Sequence, residues 1–157
     1  TGPKVVEYNC RFGDPECQCI LPCIQNNFIN LCEVTVQQEL EKVEISHSGA
    51  STCCVVLASE GYPASYPKGM VIQGIEDAEA ILNEFGEKAI VYHAGTAHNE
   101  AGELVTNGGR VLTVVGQGSS LQEAVRHAYQ AVDKIEFEHK TFRTDIAQKG
   151  LKRLQEQ

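Results

Sequence analysis

Glu7, Asn9 and Arg11 stand at alternate positions of the stretch KVVEYNCRF. A carboxylate, an amide and a guanidinium in that order suit the handling of cations and anions together. Val5, Val6, Tyr8 and Cys10 predict a strand over residues 4–10, and a period of two sends Glu7, Asn9 and Arg11 to one face. Side chains two apart on such a face lie roughly 7 Å from one another. At that spacing Glu7 and Asn9 can both touch small divalent cations bridged by a shared anion. Mg2+ prefers such hard oxygen donors and takes the rest of its shell from water and phosphates. Arg11, one step further, can hold a carboxylate or phosphate in a bidentate fork. The same three residues suit equally well the solvated polar face of an edge strand.

Phe12-Gly13-Asp14-Pro15-Glu16 follows directly. A flexible glycine precedes Asp14 as a helix N-cap, Pro15 occupies the first helical position, and Glu16 complements the helix dipole. Strand, tight turn and helix N-terminus together form a ready anion site. The cap accounts for Asp14 without a ligand, and contact with a substrate amine or ribose is the alternative.

The elements that must position these groups fit one modest core. The chain has 157 residues, of which 42% are hydrophobic and 22% charged, so one domain, with at most a small appendage, is expected. A net charge of -8 argues against nonspecific binding to nucleic acid or a membrane surface, which requires clustered Lys and Arg. No apolar run is long enough to span a bilayer. The seven cysteines are odd in number, with Cys53 beside Cys54 and Cys17, Cys19 and Cys23 crowded together. Reduced, mostly buried thiols of a cytosolic protein fit that layout better than disulfides. A zinc site begun from Cys17, Cys19, Cys23 and Cys32 lacks a C-x-x-C knuckle and a nearby His. His47, His93, His98, His127 and His139 fall on different elements, which disfavours a histidine-based catalytic set.

Along the chain, a short helix is expected over 14–21, broken at Pro22, and a second over 26–42 with Phe28, Leu31, Cys32 and Val36 on its apolar side. Residues 51–58 (STCCVVLA) and 110–117 (RVLTVVGQ) read as buried strands, with shorter strands over 70–73 and 89–94. A helix is expected over 76–85, and a hairpin turns near Glu100-Ala101-Gly102 and returns through 104–106. Ser120-Leu-Gln-Glu123 is a capping box opening an amphipathic helix to about Ile135, and 147–154 forms a terminal helix. Thr1-Gly2-Pro3-Lys4 reads as a turn feeding a strand, which predicts a partner strand before residue 1 and a piece of a longer protein.

The stretch from Glu7 to Gln18, EYNCRFGDPECQ, resembles the last ATP-grasp motif of the phosphoribosylamine-glycine ligase (glycinamide ribonucleotide synthetase) family of purine biosynthesis. Ala58-Ser-Glu-Gly-Tyr-Pro63, His93-Ala-Gly-Thr96, Asn107-Gly-Gly-Arg-Val-Leu112 and Phe142-Arg-Thr-Asp-Ile146 resemble successive signatures of that family's C-terminal portion. Ala147 replaces a usual glycine after the last of these, and Leu82 to Glu87 looks like a lengthened connector.

The resemblance implies an α/β (α+β) fold. Residues 1–45 would close an ATP-grasp domain, and residues 46–157 would form a small subdomain with a mixed or antiparallel sheet flanked by helices. It implies a part of a cytoplasmic, ATP-dependent carbon-nitrogen ligase that joins glycine to 5-phosphoribosylamine through a glycyl phosphate, with Mg2+ or Mn2+ as cofactor and ATP as co-substrate. Glu7 and Asn9 would be the metal ligands, and Arg11 would stabilise the glycine carboxylate or its acyl phosphate, with Gly13 and Asp14 also contacting substrate. The expected partners are these substrates and the remainder of the ATP-grasp enzyme, without nucleic acid or membrane. The chain holds no Gly-rich phosphate loop or lysine-bearing strand of its own, so it is expected to be inactive alone. Another ATP-grasp carboxylate-amine ligase or carboxylase, or a noncatalytic packing module, would share much of this pattern.

Overall fold

In the computed structural model, residues 2–156 are described; Thr1, where the expected opening turn begins, lies outside them. Two nine-residue strands make the centre. β1 (Ser51–Ser59) alternates buried Cys53, Val55, Leu57 and Ser59 with partly covered Thr52, Cys54, Val56 and Ala58. Its β-branched run favours a pleated, half-buried surface. β5 (Arg110–Gly118) is buried along almost its whole length and pairs antiparallel with β1 from Ser51↔Gly118 to Leu57↔Leu112, with an irregularity before Ala58. β2 (Ile90–His93) and β6 (Lys140–Thr141) complete an antiparallel sheet in the order β2-β5-β1-β6, and β3 (Thr96–His98) pairs with β4 (Leu104–Thr106) as a separate hairpin.

One face of the sheet is covered by α4 (Leu121–Val132). The Ser120 hydroxyl accepts from Glu123 N at 3.3 Å, the expected first half of the capping box. The reciprocal contact slips by one residue, because the Glu123 carboxylate takes Ser119 N–H at 3.0 Å instead. Ala124, Ala128, Ala131 and Val132 are fully buried against Val55, Leu57, Val111 and Val114. Small side chains on α4 let the backbones approach closely at Gly116, where an added Cβ would lie 2.5 Å from Ala124 O and 2.8 Å from Ala128 Cα. Gly116→Ala is therefore expected to cost about 1–3 kcal/mol by overpacking. A thermal melt superimposable on the parent's would contradict this packing.

The opposite face carries α1 (Glu16–Ile20) and the 3-10 turn Leu21–Cys23 that contains Pro22. Thr52 Oγ1 donates to Cys19 O at 2.9 Å, and Cys23 Sγ lies 3.4 Å from Cys19 O and 3.7 Å from Thr52 Oγ1. The sheet is thus sandwiched between α4 and a short helical segment. The remaining helices are α2 (Phe28–Val36), α3 (Ile75–Glu79) and α5 (Gln148–Gln155).

Several expectations are corrected. Residues 4–10 do not form a strand. A strand is stabilised by a ladder and a covered face, and here Val5, Val6 and Tyr8 are 66%, 97% and 82% exposed with no described strand beside them. α2 stops at Val36 rather than near Lys42, because Gln38 turns to φ 59° and Glu39 N–H bonds back to Val34 O; a separate 3-10 turn, Leu40–Lys42, follows. Of its expected apolar side only Leu31 is buried. Residues 70–73 make isolated bridges, Val71 to Val105 and Gln73 to Glu136, rather than a strand. Gly69 and Gly74, both with positive φ, bend the chain at either end. The helix expected over 76–85 ends at Glu79, since Asn83 Oδ1 accepts from Phe85 N and Glu87 N and fixes a turn instead. Only Cys23 and Cys53 of the seven thiols are buried; Cys17, Cys19 and Cys54 are partly covered, and Cys10 and Cys32 are exposed.

Candidate functional site

The residues between the N-terminal segment and α1 close over the edge of the sheet. Phe12, Gly13, Asp14, Cys17, Gln18 and Tyr92 line an open cleft of about 410 Å3. Arg110, the first residue of β5, fastens this segment to the sheet. Its Nη2 meets Asp14 Oδ2 at 2.9 Å and its Nη1 donates to Asp14 O at 3.2 Å. The pair is partly solvated, so its own contribution is small, about 0.2–1 kcal/mol, and its consequence is positional.

That ion pair corrects the expected helix cap. Pro15 occupies the N-cap position without a side-chain hydrogen bond, and the Asp14 carboxylate is engaged by Arg110 and, at 3.5 Å, by Gln18 Nε2. Gln18 Oε1 is buried without a hydrogen-bond partner. Arg110 has a structural ion-pair role. Tyr92 projects into the cleft because strand alternation sends Val91 to the core and Tyr92 to the α1 side. Burial first, then the charges of Cys17 and Cys19, raise its phenol above the ordinary tyrosine value. The alternation in residues 89–94, AIVYHA, is the sequence signal that sets Tyr92 opposite Val91.

Three of the motifs further along the chain meet beside this junction. The Tyr62 ring packs over Gly109, where a Cβ would collide with it. Gly95 packs on Gly108, with Asn107 N–H donating to Gly95 O at 2.8 Å. Ser59 Oγ donates to Gly108 O at 3.1 Å, and His93 Nδ1 lies 3.0 Å from Thr96 Oγ1. The glycines of these motifs serve close backbone approach.

The predicted site residues fall into two sets. Gly13 and Asp14 line the cleft, whereas Glu7, Asn9 and Arg11 lie on the exposed segment outside its lining. Asn9 Nδ2 donates to Glu7 Oε1 at 3.4 Å, so these two side chains do reach one another. Arg11 Nη1 donates to Phe12 O at 2.9 Å. Among the described residues no group of three or more His, Cys, Asp or Glu is arranged to hold a metal. Glu7 and Asn9 offer two adjacent hard oxygen donors, which fits a divalent cation that draws its remaining ligands from phosphates.

An antiparallel sheet with helices on both faces and an arginine-anchored turn at its edge makes this a mixed α/β domain. Residues 52–149 match the family described as phosphoribosylglycinamide synthetase, C domain, and the chain belongs to that family. It is 42% identical over 154 residues to the phosphoribosylamine-glycine ligase of Vibrio parahaemolyticus, covering 98% of this chain and 34% of the relative. It is 41% identical over 151 residues to the trifunctional purine biosynthetic protein adenosine-3 of Gallus gallus, covering 96% of this chain and 14% of that protein. The crystal structure of phosphoribosylamine-glycine ligase from Thermotoga maritima superposes with a TM-score of 0.68 at 36% identity, covering 91% of this chain and 33% of that one. The chain therefore spans about a third of the length of the ligases it matches. No described helix is long and apolar enough to cross a membrane.

Proposed function

We propose that this chain is the C-terminal part of an ATP-dependent phosphoribosylamine-glycine ligase of the cytoplasm, acting in purine biosynthesis. The observation that carries this reading is the reach of the similarity. It begins well before the family domain at residue 52 and covers 98% of the chain, and so includes the Glu7 to Asp14 stretch. Residues 1–45 would complete the nucleotide-binding part of the enzyme, and residues 46–157 would form the subdomain that supports them.

In this reading Glu7 and Asn9 would hold Mg2+ or Mn2+, which would supply charge neutralisation for phosphoryl transfer from ATP. Arg11, whose Nη1 donates to the Phe12 carbonyl, would stabilise the carboxylate of glycine or the acyl phosphate it becomes, which the amine of 5-phosphoribosylamine attacks. A fixed guanidinium is suited to charge that concentrates as the acyl phosphate forms. Gly13 and Asp14 shape the adjoining substrate surface, with Asp14 held in place by Arg110. No nucleophilic side chain is required. The rest of the ATP-grasp enzyme supplies the adenine and phosphate clamps, so residues 1–157 alone do not turn over.

The test is ADP release by the full-length protein in the presence of Mg2+. Release that requires glycine and 5-phosphoribosylamine together supports the reading, and release indifferent to glycine overturns it.

A further inference from the structure

The glycine-bearing motifs around Gly95 and Gly108 have no part in the chemistry proposed above, and they converge on one backbone position. A Cβ on Gly95 would lie 2.5 Å from Arg110 O, and one on Gly108 would lie 3.3 Å from it. Next to Arg110 on one side, Gly109 O accepts from Ser59 N–H at 2.8 Å. On the other side, Val111 O accepts from Ala94 N–H and Gly95 N–H, both at 3.0 Å. The first residue of β5 is thus fixed by a tight backbone frame. Its side chain leaves that frame toward Asp14 and takes the carboxylate through Nη2 and the main-chain oxygen through Nη1. Two contacts on one residue fix the local path of the chain as well as the side chain. Among the described residues, the other hydrogen bond from residues 2–16 to the sheet is that of the Cys54 thiol to Pro15 O, at 3.7 Å. Arg110 is therefore the principal polar tie between the sheet and the segment that carries Glu7, Asn9 and Arg11.

We propose that Arg110 is a positioning residue for glycine: held by the Gly95–Gly108 frame, its guanidinium fixes Asp14 and thereby sets where Arg11, three residues upstream, presents its own guanidinium. This inference rests on the ligase reading. An exposed segment samples many paths, and only those that place Arg11 against the glycine carboxylate are productive. A misplacement of about 1 Å at a reacting group can cost on the order of a hundredfold in rate. The partly solvated pair contributes little to stability, so its removal separates position from folding. The fork of an arginine suits this hold, since it meets two oxygens of Asp14 at once. The family domain of residues 52–149 would then act on the reaction through β5 without touching substrate.

The test compares Arg110→Gln, Asp14→Asn and the double variant in the full-length protein. Arg110→Gln is expected to raise the KM for glycine by about tenfold or more, with the KM for ATP and Tm unchanged. An unchanged KM for glycine overturns the proposal. Because Arg110 acts through Asp14, the double variant should be no worse than Asp14→Asn alone, and losses that multiply overturn it. Hydrogen exchange gives a readout without turnover. Cys17 N–H bonds to Gly13 O at 2.9 Å and should exchange faster in Arg110→Gln, while Val55 and Val114 in the central strands exchange as in the parent. Unchanged exchange at Cys17, or faster exchange throughout β1 and β5, overturns a positioning role. A parent protein without glycine-dependent ADP release overturns the ligase reading instead, and the exchange result then decides by itself whether Arg110 fixes the segment.

Discussion

Glu7→Gln in the full-length protein is expected to lower turnover by about a hundredfold or more, the scale set by removing one group that stabilises transition-state charge, with Tm unchanged. The substitution keeps the size of the side chain and removes the anionic oxygen that would face the proposed cation. Glu7 is exposed, and its side-chain hydrogen-bond partner is the Asn9 amide at 3.4 Å. Folding should therefore shift by no more than about 0.5 kcal/mol. Asn9→Ala should act in the same direction less severely. Arg11→Lys should raise the KM for glycine, because a point charge replaces a bidentate fork. Steady-state kinetics at varied Mg2+, alongside thermal melts, separate these effects. Full activity in Glu7→Gln would return the residue to the solvated face that its spacing equally allowed.

The second large effect is on stability. Val132 is fully buried in the cluster that joins α4 to β1 and β5, and Val132→Asp would bring an unpaired carboxylate into it. About 3–5 kcal/mol should be lost, a large share of the roughly 5–15 kcal/mol that holds a domain folded. Chemical denaturation followed by circular dichroism reads the loss. A midpoint equal to the parent's would mean that α4 does not cover the sheet as described.

The two long strands and α4 were legible in the sequence because each carries its own signal. STCCVVLA is β-branched and apolar, RVLTVVGQ is apolar on both faces, and Ser120 opens an amphipathic stripe that buries Ala124, Ala128 and Val132. Their antiparallel pairing agrees with the expected α/β fold. The features without a local signal depend on distant partners. Residues 4–10 have the alternation of a strand, yet alternation makes a strand only where another strand lies beside it. Asp14 has the local signature of a cap, and its actual partner, Arg110, stands 96 positions away. The turn over Asn83 prevailed over helix periodicity through one side-chain amide. Cys54 resembles a core residue in sequence, and only the placement of α1 on the outer face of β1 sets its Sγ against Pro15 O. The candidate site was half legible: the cleft does contain Gly13 and Asp14, while Tyr92 and the anchoring role of Arg110 came from the fold.

The most direct test of the proposed chemistry follows the oxygen atoms. With glycine labelled by 18O in its carboxylate, the full-length protein, ATP, Mg2+ and 5-phosphoribosylamine, an acyl phosphate route transfers one labelled oxygen to inorganic phosphate for each amide bond formed. Mass analysis of the released phosphate is expected to show that label in the parent protein. In Glu7→Gln it should appear as slowly as product does. Product formed with unlabelled phosphate would contradict activation of the glycine carboxylate by phosphoryl transfer, and with it the roles given to Glu7, Asn9 and Arg11.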